Sequence, residues 1–156
     1  KWVDEVWAVI PPIVDPIRHT LDRALTAATN DVVFFDLPFR EKHVGTLLRH
    51  LAPIRNLYYL TVATTLHDLR LGEGSAARIR LVQATRLLAS FDEPQLISQL
   101  VRFAAMRSLT LAVWETLAVA DWEDAEWAEM QTAWLQIDLT DPMFCALEME
   151  RAGGLR

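Results

Sequence analysis

The feature that most constrains this chain is its punctuation. Helix breakers and caps stand at Pro53, Gly72-Gly74, Pro94, Asp121 and Pro142, and the stretches between them carry apolar residues at helical spacing. From Pro53 to Leu71 these are Ile54, Leu57, Tyr58, Leu60, Val62, Leu66 and Leu69. From Ser75 to Ser90 they are Ile79, Leu81, Val82, Leu87 and Leu88. Steps of three and four residues place side chains on one helix face, and the alternation that marks a strand is scarce. The expected fold is all-α: six or seven helices in antiparallel hairpins, forming a helical bundle or short solenoid.

The breakers also set the expected boundaries. A short helix from Trp2 to Val9 should stop at Pro11-Pro12, with Trp2 and Trp7 reaching the core. Asp15-Pro16 should start the next helix, since a carboxylate accepts orphan amides and proline suits the first helical position. Ile17, Leu21, Leu25 and Ala28 form its stripe, and Asn30-Asp31 should close it. Residues 31–40 (DVVFFDLPFR) read as an apolar crossover pinned to the core, with a short strand as the alternative. Glu41 to Leu51 reads as helical. Ser75 is the expected cap of the hairpin's second helix. Asp92 with Gln95 three residues later fits a capping box and opens the longest helix, to about Val119. Its part from Phe103 to Trp114 is apolar on nearly all sides, which predicts a place in the middle of a bundle. Asp121 should cap a helix from Trp122 to Leu135, and Asp141-Pro142 should open the last one, to about Arg151.

A length of 156 residues suits a single domain. Within it, 1–40 holds N-terminal helices and the crossover, 41–120 the central hairpins, and 121–156 an acidic helical pair. The hydrophobic share of 52%, with six Trp and six Phe, implies a rich core or apolar surface that meets a partner. Charge is uneven. Residues 40–107 carry ten basic and five acidic side chains, and residues 108–156 carry two basic and ten acidic. This split predicts solvated helix faces, internal pairing or a partner surface. The net charge of −6 argues against nucleic acid, which needs a concentrated basic face. One cysteine, Cys145, says nothing about redox compartment. No run of about 18 uncharged apolar residues occurs, so this segment is not expected to span a membrane. The chain begins at Lys1 rather than Met, which suggests a processed or truncated product whose signal or anchor segment would precede it.

No constellation reads as a catalytic or metal site. His43 and His50 lie two helical turns apart, about 10 Å, too far for one ion. His67-Asp68 and His19/Asp22 have the spacing of helix-surface pairs and lack a nucleophile turn. Cys145, among Asp141, Glu148 and Glu150, lacks the electropositive setting of a reactive thiol and reads as a packing residue. Glu123, Asp124, Glu126 and Glu129 alternate with Trp122, Trp127 and Trp134, as in an acidic solvated face opposite an aromatic packing face. Arg70, Arg78, Arg80 and Arg86 surround the Gly72–Gly74 turn. They read as dipole-complementing or solvated cations, with carboxylate or phosphate capture as the sharper alternative. No cofactor is expected.

Two resemblances follow from particular residues. In LRLGEGSAARIRLVQATRLL, Ala77, Leu81 and Ala84 fall five, nine and twelve residues after Gly72. This spacing resembles the second half of a tetratricopeptide repeat, although Thr65 and Asp68 depart from the pattern and no second copy appears. The pieces LAPIRNL (51–57), LGEGSAA (71–77), RLLASFDEPQLISQLVR (86–102), LQIDL and ALEMERA resemble the C-terminal helical region of a bacterial protein family with no assigned activity. That resemblance implies an envelope-anchored protein with a membrane segment N-terminal to this region, and brings no catalytic residue. The expected function is therefore a non-catalytic interaction or scaffold domain with a protein partner or self-association. Arg70, Arg78, Arg80, Arg86, Trp122 and Trp127 are the candidate surface. A small-molecule or peptide groove near the C-terminal helices is the alternative.

Overall fold

The computed structural model of this protein describes residues 2–30 and 48–154. They form seven α-helices: α1 (Trp2–Val14), α2 (Arg18–Asn30), α3 (Leu51–Leu71), α4 (Gly74–Ser90), α5 (Leu96–Val119), α6 (Asp124–Trp134) and α7 (Thr140–Gly154). No strand occurs among the described residues, so the all-α expectation holds. The crossover read at 31–40 and most of the helix read at 41–51 lie outside them. Leu51 itself opens α3 instead of closing an earlier helix.

The helices stack in two layers. In one, α1 packs on α3, α3 on α5, and α5 on α7; in the other, α2 packs on α4 and α4 on α6. The α3–α4 hairpin joins the layers. Its turn works because Gly72 takes φ 81°, the left-handed region that glycine adopts without a Cβ penalty. The Gly72 N–H then reaches the Leu69 carbonyl at 3.1 Å, and the Glu73 N–H reaches that of Asp68 at 2.8 Å. Ala77, Leu81 and Ala84 are fully buried. Around them the core gathers Leu21, Leu25, Tyr58, Leu88, Ala105, Leu109, Ala112, Met130 and Ala133. Hydroxyls that would otherwise be stranded bond back one turn: Thr61 to the Leu57 carbonyl, Thr64 to Leu60, Thr85 to Leu81 and Thr116 to Ala112. Ser108 and Thr110 do the same.

Several helix ends differ from expectation. α1 continues through Pro11 and Pro12. The chain beyond them is held, with Val14 fully buried and the Asp15 N–H closing a turn on the Pro11 carbonyl at 3.0 Å. Ser75 lies inside α4, whose cap position is Glu73. Gln95 caps α5 by position, so the Asp92–Gln95 box does not form; Gln95 is buried and its side chain accepts from the Ser98 hydroxyl instead. Trp122 precedes α6, at whose start the Glu123 N–H donates to the Glu126 carboxylate at 3.0 Å. At α7, Asp138 caps in place of Asp141, accepting from the Thr140 N–H at 2.8 Å. At α6 and α7 several polar residues stand near the helix start, and packing decides which of them meets the orphan amides.

Candidate interaction surface

The arginines around the α3–α4 turn are taken up by this chain's own carboxylates. Arg80 is buried, with Nε 2.8 Å from the Asp22 carboxylate and Nη1 on that of Asp68. Arg18 donates to the other oxygen of Asp68, so a fully buried carboxylate on α3 is clamped by cations from α2 and α4. The hydrogen bond to Asp68 is the main cause holding the Arg18 guanidinium above its usual range. Arg78 pairs with Glu126 at 2.9 Å and with Glu129, and Arg86 meets Glu129 at 3.2 Å. The acidic face of α6 is thus turned onto α4, not left wholly to solvent. Arg70 lies over the Trp7 ring, 5.0 Å from its centroid. Trp122 donates its indole N–H to the Gly74 carbonyl at 3.1 Å and stacks, tilted, against Trp127 with centroids 4.5 Å apart. These contacts tie the start of α6 to the hairpin turn.

A second polar cluster closes the end where α3 and α5 begin. His50 meets the Glu93 carboxylate at 2.7 Å and lies edge-on to Phe91. The same carboxylate accepts from the Ser98 hydroxyl at 2.6 Å. Arg102, 2% exposed, donates from Nε to the Leu88 carbonyl at 3.1 Å, and desolvation holds its guanidinium below the usual range. Tyr58 is equally buried; its hydroxyl has no hydrogen-bond partner, and desolvation raises its pKa well above that of a free phenol.

The other candidates do not converge. His67 Nε2 stands 3.8 Å from Asp15, while its neighbour Asp68 belongs to the arginine clamp. His19 is exposed, and Asp22 serves Arg80. His43 lies outside the described residues. Cys145 is exposed, contrary to the packing role expected of it, and borders a shallow open hollow with Asp92, Pro94, Asp138, Asp141 and Pro142. Among the described residues no three metal-ligating side chains gather.

The outward side of α5 is what sequence reasoning missed. One stripe of this helix is buried: Ser98, Arg102, Ala105, Leu109, Ala112 and Thr116. The opposite stripe is the more apolar one, yet nothing among the described residues covers it. Leu100 is 52% exposed, Leu111 56% and Trp114 71%, and Phe103 is exposed beside them. At 100° per residue these four fall within an arc of about 80°. Phe144 and Leu147 on the neighbouring α7 are exposed too. The expectation that an all-round apolar helix is covered on all sides therefore fails. α5 does meet α3, α4 and α7, but a two-layer stack leaves its fourth side open. Of the described helices, α5 is also the one long and apolar enough to cross a membrane, by length and composition alone. The signal was present in the sequence as a stripe of large apolar residues on one helix, with Arg107 and Thr110 in its middle, opposite a stripe that mixes small, polar and apolar residues.

No family model, curated protein or solved structure matches this chain.

Proposed function

We propose that this chain is a non-catalytic helical interaction domain, and that the outward face of α5 is where a protein partner binds. One observation carries this reading: a contiguous stripe of large apolar side chains stays uncovered on an otherwise well-packed helix. Soluble domains rarely leave such a stripe bare without a use for it. The stacking of α1, α3, α5 and α7 in one layer adds support, because tetratricopeptide-like stacks bind through an extended surface formed by successive repeats. The arginines and tryptophans first singled out then act as struts. Arg78, Arg80, Arg86 and Trp122 tie α4 to α6, α2 and α3 and donate to this chain's own groups, while Arg70 lies over Trp7.

A photo-cross-linking residue placed at position 114 in the native host tests the reading, with position 23 on exposed α2 as control. Covalent adducts with another protein are expected from position 114 and not from position 23. Absence of any adduct at 114 would sink the proposal.

A further inference from the structure

Resting on the interaction reading, the position of one charge narrows the kind of partner. Along the outward face of α5, the residues at alternating steps of three and four are Leu100, Phe103, Arg107, Thr110, Trp114 and Leu117, with Leu111 beside them. This is the spacing of a coiled-coil seam. Arg107 stands at its centre, exposed, with no hydrogen bond or ion pair among the described residues. It is unlike Arg78, Arg80 and Arg86, each of which has a carboxylate. The Thr110 hydroxyl, by contrast, is satisfied by the Met106 carbonyl at 2.9 Å. Covering this stripe would therefore strand one positive charge in an apolar seam unless the partner supplies a negative one.

We infer that the face takes an amphipathic helix of another protein, apolar at steps of three and four, with a single Asp or Glu in the middle of its apolar stripe opposite Arg107. From Leu100 to Trp114 the seam is about 21 Å long, which accommodates four turns of such a helix. A second copy of this chain fits poorly. A parallel two-fold pairing of α5 with itself sets Arg107 against its own equivalent, and an antiparallel one centred on the seam sets it against Thr110, so neither supplies a negative charge. A polar residue at one central seam position is a known means of fixing register and partner choice. Here it works against self-association and for an acidic partner.

Two designed helical peptides, each roughly 20 residues long so that helix formation is not limiting, test this. Both carry Leu at steps of three and four and differ in one central seam residue, Glu or Lys. Fluorescence anisotropy with the whole chain should show the Glu peptide binding about tenfold or more tighter. Arg107→Glu should invert that order, and Trp114→Asp should abolish binding of both. The two variants are at exposed positions, and unchanged melting temperatures confirm that they fold. Light scattering at roughly 100 μM, far above the dissociation constant of a stable dimer, should report a monomer. Equal binding of the two peptides, binding of neither, an order that Arg107→Glu leaves unchanged, or a dimer each overturns the inference. Equal binding that Trp114→Asp abolishes overturns only the role of Arg107 and leaves the interaction reading standing. The failure of that reading is instead an empty result from position 114.

Discussion

Where α2, α3 and α4 meet, Asp68 is fully buried between Arg18 and Arg80. On the outward side of α5, Trp114 and Leu111 stand mostly in water. One region holds charge inside the protein and the other holds apolar surface outside it, the reverse of the usual arrangement. The difference separates two tasks. The buried clamp costs desolvation, which several close ion pairs offset, and its geometry fixes how three helices meet. The exposed part of the α5 stripe contributes nothing to folding, and on the proposed reading covering it would favour binding. On that reading, stability and recognition rest on different residues, and substitutions can separate them.

The largest effect is expected from Asp68→Ala. It leaves two guanidinium groups, one of them buried, without their shared carboxylate, and should cost about 3–5 kcal/mol in a denaturant titration. A loss below about 1 kcal/mol would mean that the clamp does not hold the fold. Next comes a matched pair on one helix. Leu109→Ala, on the buried stripe, should cost about 2–5 kcal/mol, while Leu111→Ala, two residues on, should stay within about 0.5 kcal/mol. Similar losses for both would show that the outward stripe is covered in solution.

Smaller effects sharpen the comparison at its edges. Trp122→Phe keeps an aromatic side chain, smaller than the indole, and removes the donor to the Gly74 carbonyl. It should cost about 1 kcal/mol, read from the shift in melting temperature. Tyr58→Phe should be the mildest and of opposite sign, because the phenol hydroxyl is buried without a partner; a gain of up to about 1 kcal/mol is expected. The same site predicts a pH dependence. Burial raises the Tyr58 pKa in the folded state, so above the unfolded value of about 10 the unfolded chain releases a proton that the native one keeps. The stability contribution of a neutral Tyr58 is complete below that pH and falls as pH rises past it. In Tyr58→Phe this part of the alkaline slope should vanish, and an unchanged slope would refute the assignment.

How much of this was legible in the sequence varies by element. The hairpin of α3 and α4 was readable apart from its helix starts, because Gly72 is a backbone requirement and Ala77, Leu81 and Ala84 lie on the buried face of α4. The ends of α1, α5 and α7 were less so. Pro11-Pro12, Asp92 and Asp141 are strong local signals, but burial of Val14 and Gln95 and the capping role of Asp138 overrode them. The polar struts were visible only as a list. Nothing in the spacing of Arg78, Arg80 and Arg86 foretells Glu126, Glu129, Asp22 and Asp68 as partners, since those contacts cross between helices.

The helical class, the hairpin turn and the scarcity of chemistry-bearing motifs were thus determined by the sequence alone. Each depends on residues near one another in the chain, where propensity and periodicity act directly. Which side of α5 is buried was decided only by the tertiary structure. The outward stripe is the more apolar of the two, and the buried one holds Ser98, Gln99, Arg102 and Thr116 beside Ala105, Leu109 and Ala112, so hydrophobicity alone does not choose the buried face. The choice fell to the neighbours: α3, α4 and α7 cover the side that holds Leu109 and leave the side that holds Arg107 and Trp114 bare.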